Sequence, residues 1–134
     1  MTGEPPRTHV YRKRHRLTLA AEYRTAYRHG TRRSSGPVTI YLLPNGLPEH
    51  RLGLSVGRRM GNAVARNRFK RLLREAFRLE RPTLPVSSTG TFDIVVALRP
   101  HPPMPLDAYR TTLATLATKA AAEIARREAP DGTP

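Results

Sequence analysis

Residues 51–75, which read RLGLSVGRRMGNAVARNRFKRLLRE, decide the fold of this chain. Apolar residues alternate with other residues at the start of this stretch, and the period of two predicts a strand over residues 52–56. The segment GRRMGN then interrupts the pattern, and Asn62 at its end is a favourable N-cap residue. A helix over residues 63–78 is therefore expected directly after the strand.

This helix is predicted to have two different faces. At about 100° per residue, one arc carries the apolar residues Ala65, Phe69, Leu72, Leu73 and Ala76. The opposite arc and its edges carry Asn67 and the cations Arg66, Arg68, Lys70, Arg71, Arg74 and Arg78. Glu75 is the single acid among these cations, and like charges spaced by three or four residues destabilise a helix. A polyanion would relieve the repulsion, so the pattern predicts contact with RNA or DNA.

Outside this stretch, the apolar periodicity predicts four further elements. They are a helix over residues 18–29, a strand over 38–42, a strand over 92–98 and a helix over 106–127. Thr18 is expected to cap the first helix, and Gly30 is expected to end it in a left-handed conformation. The order of helix, two or three strands, helix, strand and helix indicates the α+β class, with a split βαβ unit as one arrangement.

Proline, glycine and polar residues are concentrated in three segments. Residues 1–9 and 129–134 are predicted to be disordered tails, and residues 79–90 are predicted to be a linker. A chain of 134 residues is too short for two full domains. Residues 10–128 are therefore expected to form a single RNA-binding domain.

Positive charge dominates the composition. The chain has 24 Lys and Arg residues against 10 Asp and Glu residues, which gives a formal net charge of +14. Residues 1–81 hold 19 basic and 5 acidic side chains, whereas residues 82–134 hold 5 of each. Most of the cations are arginine, whose planar guanidinium suits phosphate and stacks on bases. The distribution indicates one region that contacts a polyanion, with nucleic acid as the expected partner.

Composition also excludes several classes of protein. The chain has no cysteine, which excludes a disulfide framework, a thiolate zinc site and a cysteine nucleophile. No apolar run approaches the roughly 20 residues of a membrane span, and no apolar signal segment begins the chain. A cytoplasmic protein without membrane contact is therefore expected.

The polypeptide alone is predicted to be non-catalytic and to bind no metal. Metal-dependent hydrolysis of a phosphodiester needs converging carboxylates, and none of the 10 acids forms a pair with metal-ligand spacing. Metal-free cleavage of RNA needs two converging histidines. The histidines are instead scattered and are interpreted as surface residues: His9, His15, His29, His50 and His101. Neither a nucleophile elbow nor a phosphate-binding loop motif occurs.

Aromatic residues give a second candidate for contact with nucleic acid. Tyr23 and Tyr27 lie one turn apart on the first helix, where Arg24 and Arg28 flank them. The open face of the predicted strands carries Thr39, Tyr41, Arg51 and Ser55. Rings interleaved with cations are typical of proteins that bind single-stranded RNA by stacking on its bases. The alternative is that the two helix tyrosines only pack the helix on the sheet.

Residues 51–75 closely resemble the signature of the bacterial ribonuclease P protein subunit. Its hallmark is Arg-Asn-Arg on a helix, here residues 66–68, preceded by Gly-Asn-Ala-Val and followed by Lys-Arg-x-x-Arg. The start Arg16-Leu17, Tyr-Arg-His-Gly at the end of the first helix and Leu-Arg-Pro after the last strand also agree. The resemblance implies a compact α/β sandwich similar to ribosomal protein S5 domain 2, with a left-handed βαβ crossover.

The same resemblance implies the partners. The family binds a catalytic RNA, one protein per RNA, and Mg²⁺ in that RNA supports hydrolysis of precursor tRNA at its mature 5′ end. The residues expected to face the catalytic RNA are Arg58, Arg59, Asn62, Arg66, Asn67, Arg68, Lys70, Arg71 and Arg74. A cleft between the first helix and the sheet is expected to hold the single-stranded 5′ leader through Tyr23, Tyr27, Tyr41, Arg51 and Ser55. The chain departs from the family in its extra N-terminal residues, its longer proline-rich linker and its acid-poor cleft.

Two alternatives to this function stay open. A structural RNA-binding protein of the ribosomal type would carry the same charge without processing tRNA. A self-sufficient nuclease would cleave RNA unaided, and the scattered carboxylates argue against it. The favoured hypothesis is a non-catalytic subunit of a ribonucleoprotein endoribonuclease, ribonuclease P.

Overall fold

The computed structural model describes residues 11–128. Its helices and strands are α1 (Ala20–His29), β1 (Thr31–Ser35), β2 (Val38–Pro44), β3 (Arg51–Ser55), α2 (Ala63–Glu80), β4 (Phe92–Leu98) and α3 (Leu106–Arg127). Short 3₁₀ helices occur at Lys13–His15, Arg58–Met60 and Arg81–Thr83. This order confirms the α+β class. The two predicted tails lie outside the described residues.

The four strands form one mixed sheet in the order β1-β2-β4-β3. β2 pairs antiparallel with both β1 and β4, whereas β3 pairs parallel with β4. β3, α2 and β4 therefore form a βαβ unit whose strands are direct neighbours. Its left-handed crossover stays a prediction. On the outer edge of β3, the Leu17 N–H donates to the Leu52 carbonyl at 2.9 Å.

The main core lies between one face of the sheet and the two long helices. Alternate strand residues point into it, and Ile40, Leu52 and Ile94 are each no more than 2% exposed. From α2 the buried residues are Phe69, Leu73, Ala76 and Phe77. The predicted apolar arc is thus confirmed at its centre, whereas Ala65 and Leu72 at its margins are only half-buried.

The opposite face of the sheet is partly covered by α1. Leu17, Ala26 and Val95 form a second, smaller apolar cluster there, and Tyr23 and Tyr41 pack against it. The close approach depends on Gly53, because a Cβ at this position would lie 2.8 Å from the Tyr23 ring. The face predicted to be open is therefore a cleft with α1 as one wall.

Both ends of α1 differ from the sequence expectation. The N-cap is Leu19, one residue after Thr18. The Glu22 carboxylate accepts the N–H groups of Thr18 and Leu19, each at 3.1 Å, so a side chain in the first turn of α1 satisfies the backbone donors just before the helix. Gly30 has a φ of −72°, so the expected left-handed terminus is wrong. Glycine is needed because a Cβ would lie 2.4 Å from the Ala26 carbonyl oxygen.

The start of α2 agrees with the prediction. Asn62 is its N-cap, and the Asn62 Oδ1 accepts the Ala65 N–H at 2.9 Å. Gly61 precedes it with a φ of +117°, a conformation that other residues rarely adopt. The chain therefore turns from β3 into α2 because Gly61 adopts a positive φ and Asn62 caps the helix.

Two other expectations need correction. β1 was missed by the apolar pattern, because Thr31-Arg-Arg-Ser-Ser35 has no apolar alternation and is an edge strand held by pairing with β2. Part of the predicted 79–90 linker is helical, since α2 runs to Glu80 and Leu84 is buried beyond it.

Within residues 11–128, no helix is both long and apolar enough to span a membrane.

His15 and His50 are buried, at 0% and 4% exposure, so their interpretation as surface residues is wrong. Each Nδ1 accepts a backbone N–H, from Arg12 at 2.8 Å and from Phe92 at 3.0 Å. Burial lowers the pKa of His15 and lowers the pKa of His50 to about 4. Both rings therefore stabilise the fold as neutral groups that hold loops together.

Candidate nucleic-acid interface

Seven cations of α2 and of the 3₁₀ turn before it are here called the basic ridge. Its members are Arg58, Arg59, Arg66, Arg68, Lys70, Arg71 and Arg74. In the described part of the chain, none of these seven forms an ion pair with a carboxylate. Close to the ridge, Arg78 pairs with Glu75 and Arg110 pairs with Glu80. The charge of the ridge is therefore available to an external anion.

Exposure differs along the ridge. Arg58, Arg59, Arg68 and Arg71 are exposed, together with the neighbouring Asn67. Arg66, Lys70 and Arg74 are half-buried. The Arg66 Nε is buried and has no acceptor among residues 11–128. A buried donor without a partner is costly, so an acceptor from a partner molecule would be stabilising there.

Asn62 was predicted to contact RNA, and its side chain is partly committed to the fold. Its Oδ1 caps α2, which leaves the amide N–H₂ as the part that can contact a partner. The side chain is exposed beside the ridge. Asn62 therefore combines a structural role with a position at the candidate interface.

A notch of about 150 Å³ joins the ridge to the cleft. Lys70 and Arg74 line it from α2, and Arg16 and Tyr11 line it from the N-terminal segment. The Arg16 guanidinium lies 5.0 Å from the centre of the Tyr11 ring, a cation–π contact. Residues 12–16 read RKRHR and were given no site from the sequence. The signal was there, but its proximity to α2 depends on contacts across the chain.

The predicted tyrosines come together in the cleft, and they are not equivalent. The Tyr23 hydroxyl accepts the Leu54 N–H at 3.1 Å, so Tyr23 serves mainly to hold α1 on the sheet. Tyr27 and Tyr41 form an edge-to-face pair with 4.9 Å between ring centroids, and Tyr27 is 42% exposed. Packing therefore accounts for Tyr23, whereas Tyr27 and Tyr41 present ring surface to solvent.

The floor of the cleft is a row of short side chains. Ala97 on β4 is paired in register with Ser55 on β3 and with Thr39 on β2. This row lies two residues along the strands from the row that contains Val95, which α1 covers. Glu22 and Arg24 lie about 200° apart around α1, on opposite flanks of the helix. The Glu22 flank faces Arg51 at the start of β3, so the Arg24 flank faces the end of β3 that carries Ser55. Ser55 thus lies where an extended strand of nucleic acid could pass.

Arg51 was expected to contact the leader, and its guanidinium is instead held by the protein. Its Nε and NH2 donate to Asp93 at 2.8 and 2.7 Å, and its NH1 donates to Glu22 at 2.8 Å. The side chain is 22% exposed and that of Asp93 only 7%. Hydrogen bonding to Asp93 raises the pKa of Arg51 still further. Contrary to the acid-poor expectation, the cleft contains two carboxylates.

The carboxylates near the candidate interface are occupied by arginines. Burial alone would raise the pKa of Glu22, but the N–H groups of Leu19 and Thr18 and the Arg51 guanidinium hold that pKa below its ordinary value. Glu49 likewise contacts Arg14 at 2.5 Å. In residues 11–128, no three side chains of the metal-binding types are grouped to hold a cation.

Comparison with known proteins places these features in a family. A family model described as ribonuclease P matches residues 11–121. The ribonuclease P protein component of Oleidesulfovibrio alaskensis is 39% identical over 128 residues, covering 89% of this chain and 95% of that protein. That of Desulfotalea psychrophila is 46% identical over 79 residues, covering 59% of this chain and 62% of that protein.

A solved structure shows the same fold. The RNase P protein from Thermotoga maritima superimposes with a TM-score of 0.68 at 28% sequence identity. The superposition covers 78% of this chain and 96% of that one.

Proposed function

This chain belongs to the ribonuclease P protein family, and from that membership we propose that it is the protein subunit of ribonuclease P. In this function it binds the catalytic RNA and the 5′ leader of precursor tRNA and assists removal of the leader. The observation that carries the proposal is the basic ridge, whose seven cations have no carboxylate partner within residues 11–128 and which adjoins a tyrosine-lined cleft.

The basic ridge is the surface proposed for the catalytic RNA. Phosphates that pair with Arg or Lys release condensed counterions, so binding weakens with salt. If about five phosphates are neutralised, log K falls against log salt with a slope of roughly −3.5 on single strands. Arg68 and Arg71 are exposed at its centre and are the residues expected to contribute most.

The cleft is the surface proposed for the leader. Tyr27 and Tyr41 offer ring surface on which bases can stack, and the floor at Ser55 leaves room for the backbone. Arg51 shapes this cleft through Asp93 and Glu22 and is not proposed to contact phosphate. The protein then acts by positioning, because it holds the leader so that the scissile phosphate stays at the reactive centre of the RNA.

Hydrolysis of the phosphodiester is assigned to the RNA and its Mg²⁺. The carboxylates of the cleft do not fit a magnesium site on the protein, because Glu22 and Asp93 are already paired with Arg51. No step of the reaction is therefore assigned to a protein side chain. A cytoplasmic particle with one protein per RNA is the assembly in which this function is expected.

Reconstitution tests the proposal. The full chain is added to a bacterial ribonuclease P RNA at low magnesium, and release of the leader from precursor tRNA is measured. We expect cleavage to be stimulated, because the protein offsets repulsion between the two RNAs. Absence of stimulation together with comigration with ribosomal subunits in high salt would favour the ribosomal alternative. Cleavage by the protein after removal of all RNA would contradict the assignment of hydrolysis to the RNA.

A further inference from the structure

A groove runs along the flank of α2 that faces the proline-rich loop before α3. It consists of two joined hollows of about 510 and 370 Å³, which share Arg68 and Pro103. We call it the proline groove, and the lining residues that matter here are Val64, Arg68, Leu72, Pro103, Met104 and Leu106. Hollows of this size are typical of sites for small organic groups.

The groove presents apolar surface that the fold does not use. Val64 is 77% exposed, more than any other large hydrophobic side chain in residues 11–128. A β-branched residue is also a poor choice for an exposed helix position on propensity grounds. Leu72 and Met104 are half-buried and continue the apolar lining away from Val64. This surface is suited to cover an apolar face of a partner.

The wall opposite α2 is preformed. The His101 ring is fixed at both nitrogens, by the Arg99 carbonyl and by the Tyr109 hydroxyl, each at 2.7 Å. The Met104 N–H donates to the same Tyr109 hydroxyl at 3.2 Å. Prolines on both sides of Met104 further restrict the backbone. Binding of a partner in the groove therefore costs little conformational entropy, because this wall is already ordered.

Charge identifies the occupant. Arg68 belongs to both hollows and to the basic ridge, and Arg71 lines the larger hollow. Neither forms an ion pair with a carboxylate within residues 11–128, whereas Glu75 at the far end pairs with Arg78. An apolar slot beside available guanidinium groups matches a nucleotide, which has a flat apolar face and an anionic phosphate. Bases inside a duplex are stacked, so the nucleotide must be unpaired.

We propose that the proline groove binds an unpaired base of the catalytic RNA, whose phosphate contacts Arg68. The exposed amide N–H₂ of Asn62, which also lines the groove, is placed to donate to the edge of that base. The inference rests on the proposed function and adds a contact that depends on the base rather than on the phosphate backbone alone. The ridge and the groove then share one helix and bind different parts of the same nucleotide.

The test separates apolar from electrostatic binding. Val64→Thr keeps the shape of an exposed side chain and replaces one of its two methyl groups with a hydroxyl. Met104→Gln replaces a thioether with a polar amide in a side chain of similar length. Binding of the full chain to a ribonuclease P RNA transcript is measured across a range of salt. We expect roughly threefold weaker binding for Val64→Thr and roughly tenfold for the double variant, with an unchanged salt slope.

Val86→Thr is the matched control, because Val86 is 67% exposed and lies in the segment after α2. It should bind as the unsubstituted protein does. Chemical probing of the RNA should also show an unpaired nucleotide that is protected by the unsubstituted protein and reactive with the double variant. The decisive variant is Val64→Thr, since its exposure makes an effect on folding negligible.

Two results would overturn the inference and leave the proposed function standing. One is equal affinity of Val64→Thr and the unsubstituted protein. The other is weaker binding accompanied by a smaller salt slope, because that would place the lost contact on phosphate. If the unsubstituted protein does not bind the RNA at all, the groove inference and the proposed function both fail.

Discussion

The basic ridge and the cleft use the same side chain in opposite ways. On the ridge, seven cations have no carboxylate partner in the described part of the chain. In the cleft, Arg51 makes three hydrogen bonds to two carboxylates and is only 22% exposed. The first set keeps its charge for a partner, and the second uses its charge on the fold. A net charge of +14 therefore does not tell which arginines have charge available to a partner. The presence or absence of a carboxylate partner within the fold does tell this.

The largest effect is expected from Arg51→Met. This change leaves the buried Asp93 carboxylate without its guanidinium, and breaking a buried pair from one side costs about 3 kcal/mol. The free energy of unfolding, measured by urea denaturation, should fall by about that amount. Leader affinity of the folded protein should change little.

Asp93→Asn combined with Arg51→Met is the control for this prediction. It removes the unpaired charge and should restore part of the lost free energy of unfolding. Unchanged stability with a strong loss of leader affinity would instead make Arg51 a leader ligand and would remove the contrast between cleft and ridge.

On the ridge, Arg66→Ala combined with Arg68→Ala should have the converse effect. Affinity for the catalytic RNA should fall about 100-fold, because each arginine is expected to make a charge-assisted contact with phosphate. The slope of log K against log salt should decrease by about one to two. The fold should be retained, since the Arg66 Nε has no acceptor in the part of the chain that the structure describes.

Arg110→Gln is the matched control, because Arg110 is a helix arginine paired with Glu80 at 2.7 Å. It should change RNA affinity little. A large drop in melting temperature with unchanged RNA affinity in the ridge variant would show that the ridge arginines stabilise the fold.

Acid should destabilise the interior of the fold and leave the arginines of both the ridge and the cleft charged. The pKa of His50 is about 4 in the folded chain and 6.5 in the reference state, since burial disfavours the charged ring. The contribution of the neutral His50 ring to the free energy of unfolding is therefore fully present above pH 6.5 and is lost as pH falls from 6.5 to 4. The free energy of unfolding should decrease by about 2 kcal/mol between about pH 7 and pH 5 from this residue alone.

His50→Asn should flatten that dependence, because Asn keeps an acceptor for the Phe92 N–H and does not titrate. Urea denaturation of both proteins at each pH gives the comparison. An identical slope in the two proteins would assign the acid sensitivity to other groups, of which His15 is the first candidate.

The smallest effect is expected within the cleft, from Tyr27→Ala. Loss of stacking should weaken binding of precursor tRNA by about fivefold, corresponding to about 1 kcal/mol. Binding of mature tRNA, which has no leader, should stay unchanged in the same filter-binding assay. Tyr27→Phe keeps the ring and should bind both RNAs normally. Equal loss for both RNAs would mean that Tyr27 only packs on Tyr41.

The sequence predicted correctly those elements whose evidence lies within one short segment of the chain. The apolar period of β4, the Asn62 cap and the cationic arc of α2 each lie within one continuous segment, and the structure confirms them. β1 escaped because its residues carry no period, and only pairing with β2 makes them a strand. The start of α1 shifted by one residue, from Thr18 to Leu19 as the N-cap, where the Glu22 carboxylate accepts the N–H groups of both residues.

The site was predictable in position and less so in chemistry. The tyrosines and the ridge come from short-range spacing. The pairing of Arg51 with Asp93 joins residues 42 positions apart, and the His50 contact with Phe92 is equally remote. Such contacts depend on how the strands are ordered in the sheet, which composition and periodicity do not specify. The positions of the charged residues could therefore be read from the sequence. The carboxylates that neutralise some of these charges, such as Asp93 beside Arg51, could not.

The width of the cleft depends on a missing methyl group. At Gly53, even a Cβ would come within 2.9 Å of both the Tyr23 ring and Leu17. Any larger residue would act as a spacer that lifts α1 from the sheet and shifts Tyr27 relative to Tyr41. The spacing between α1 and the sheet is thus set by a backbone position that has no side chain. A change of this one residue would alter the shape of the cleft and leave every residue that lines it the same.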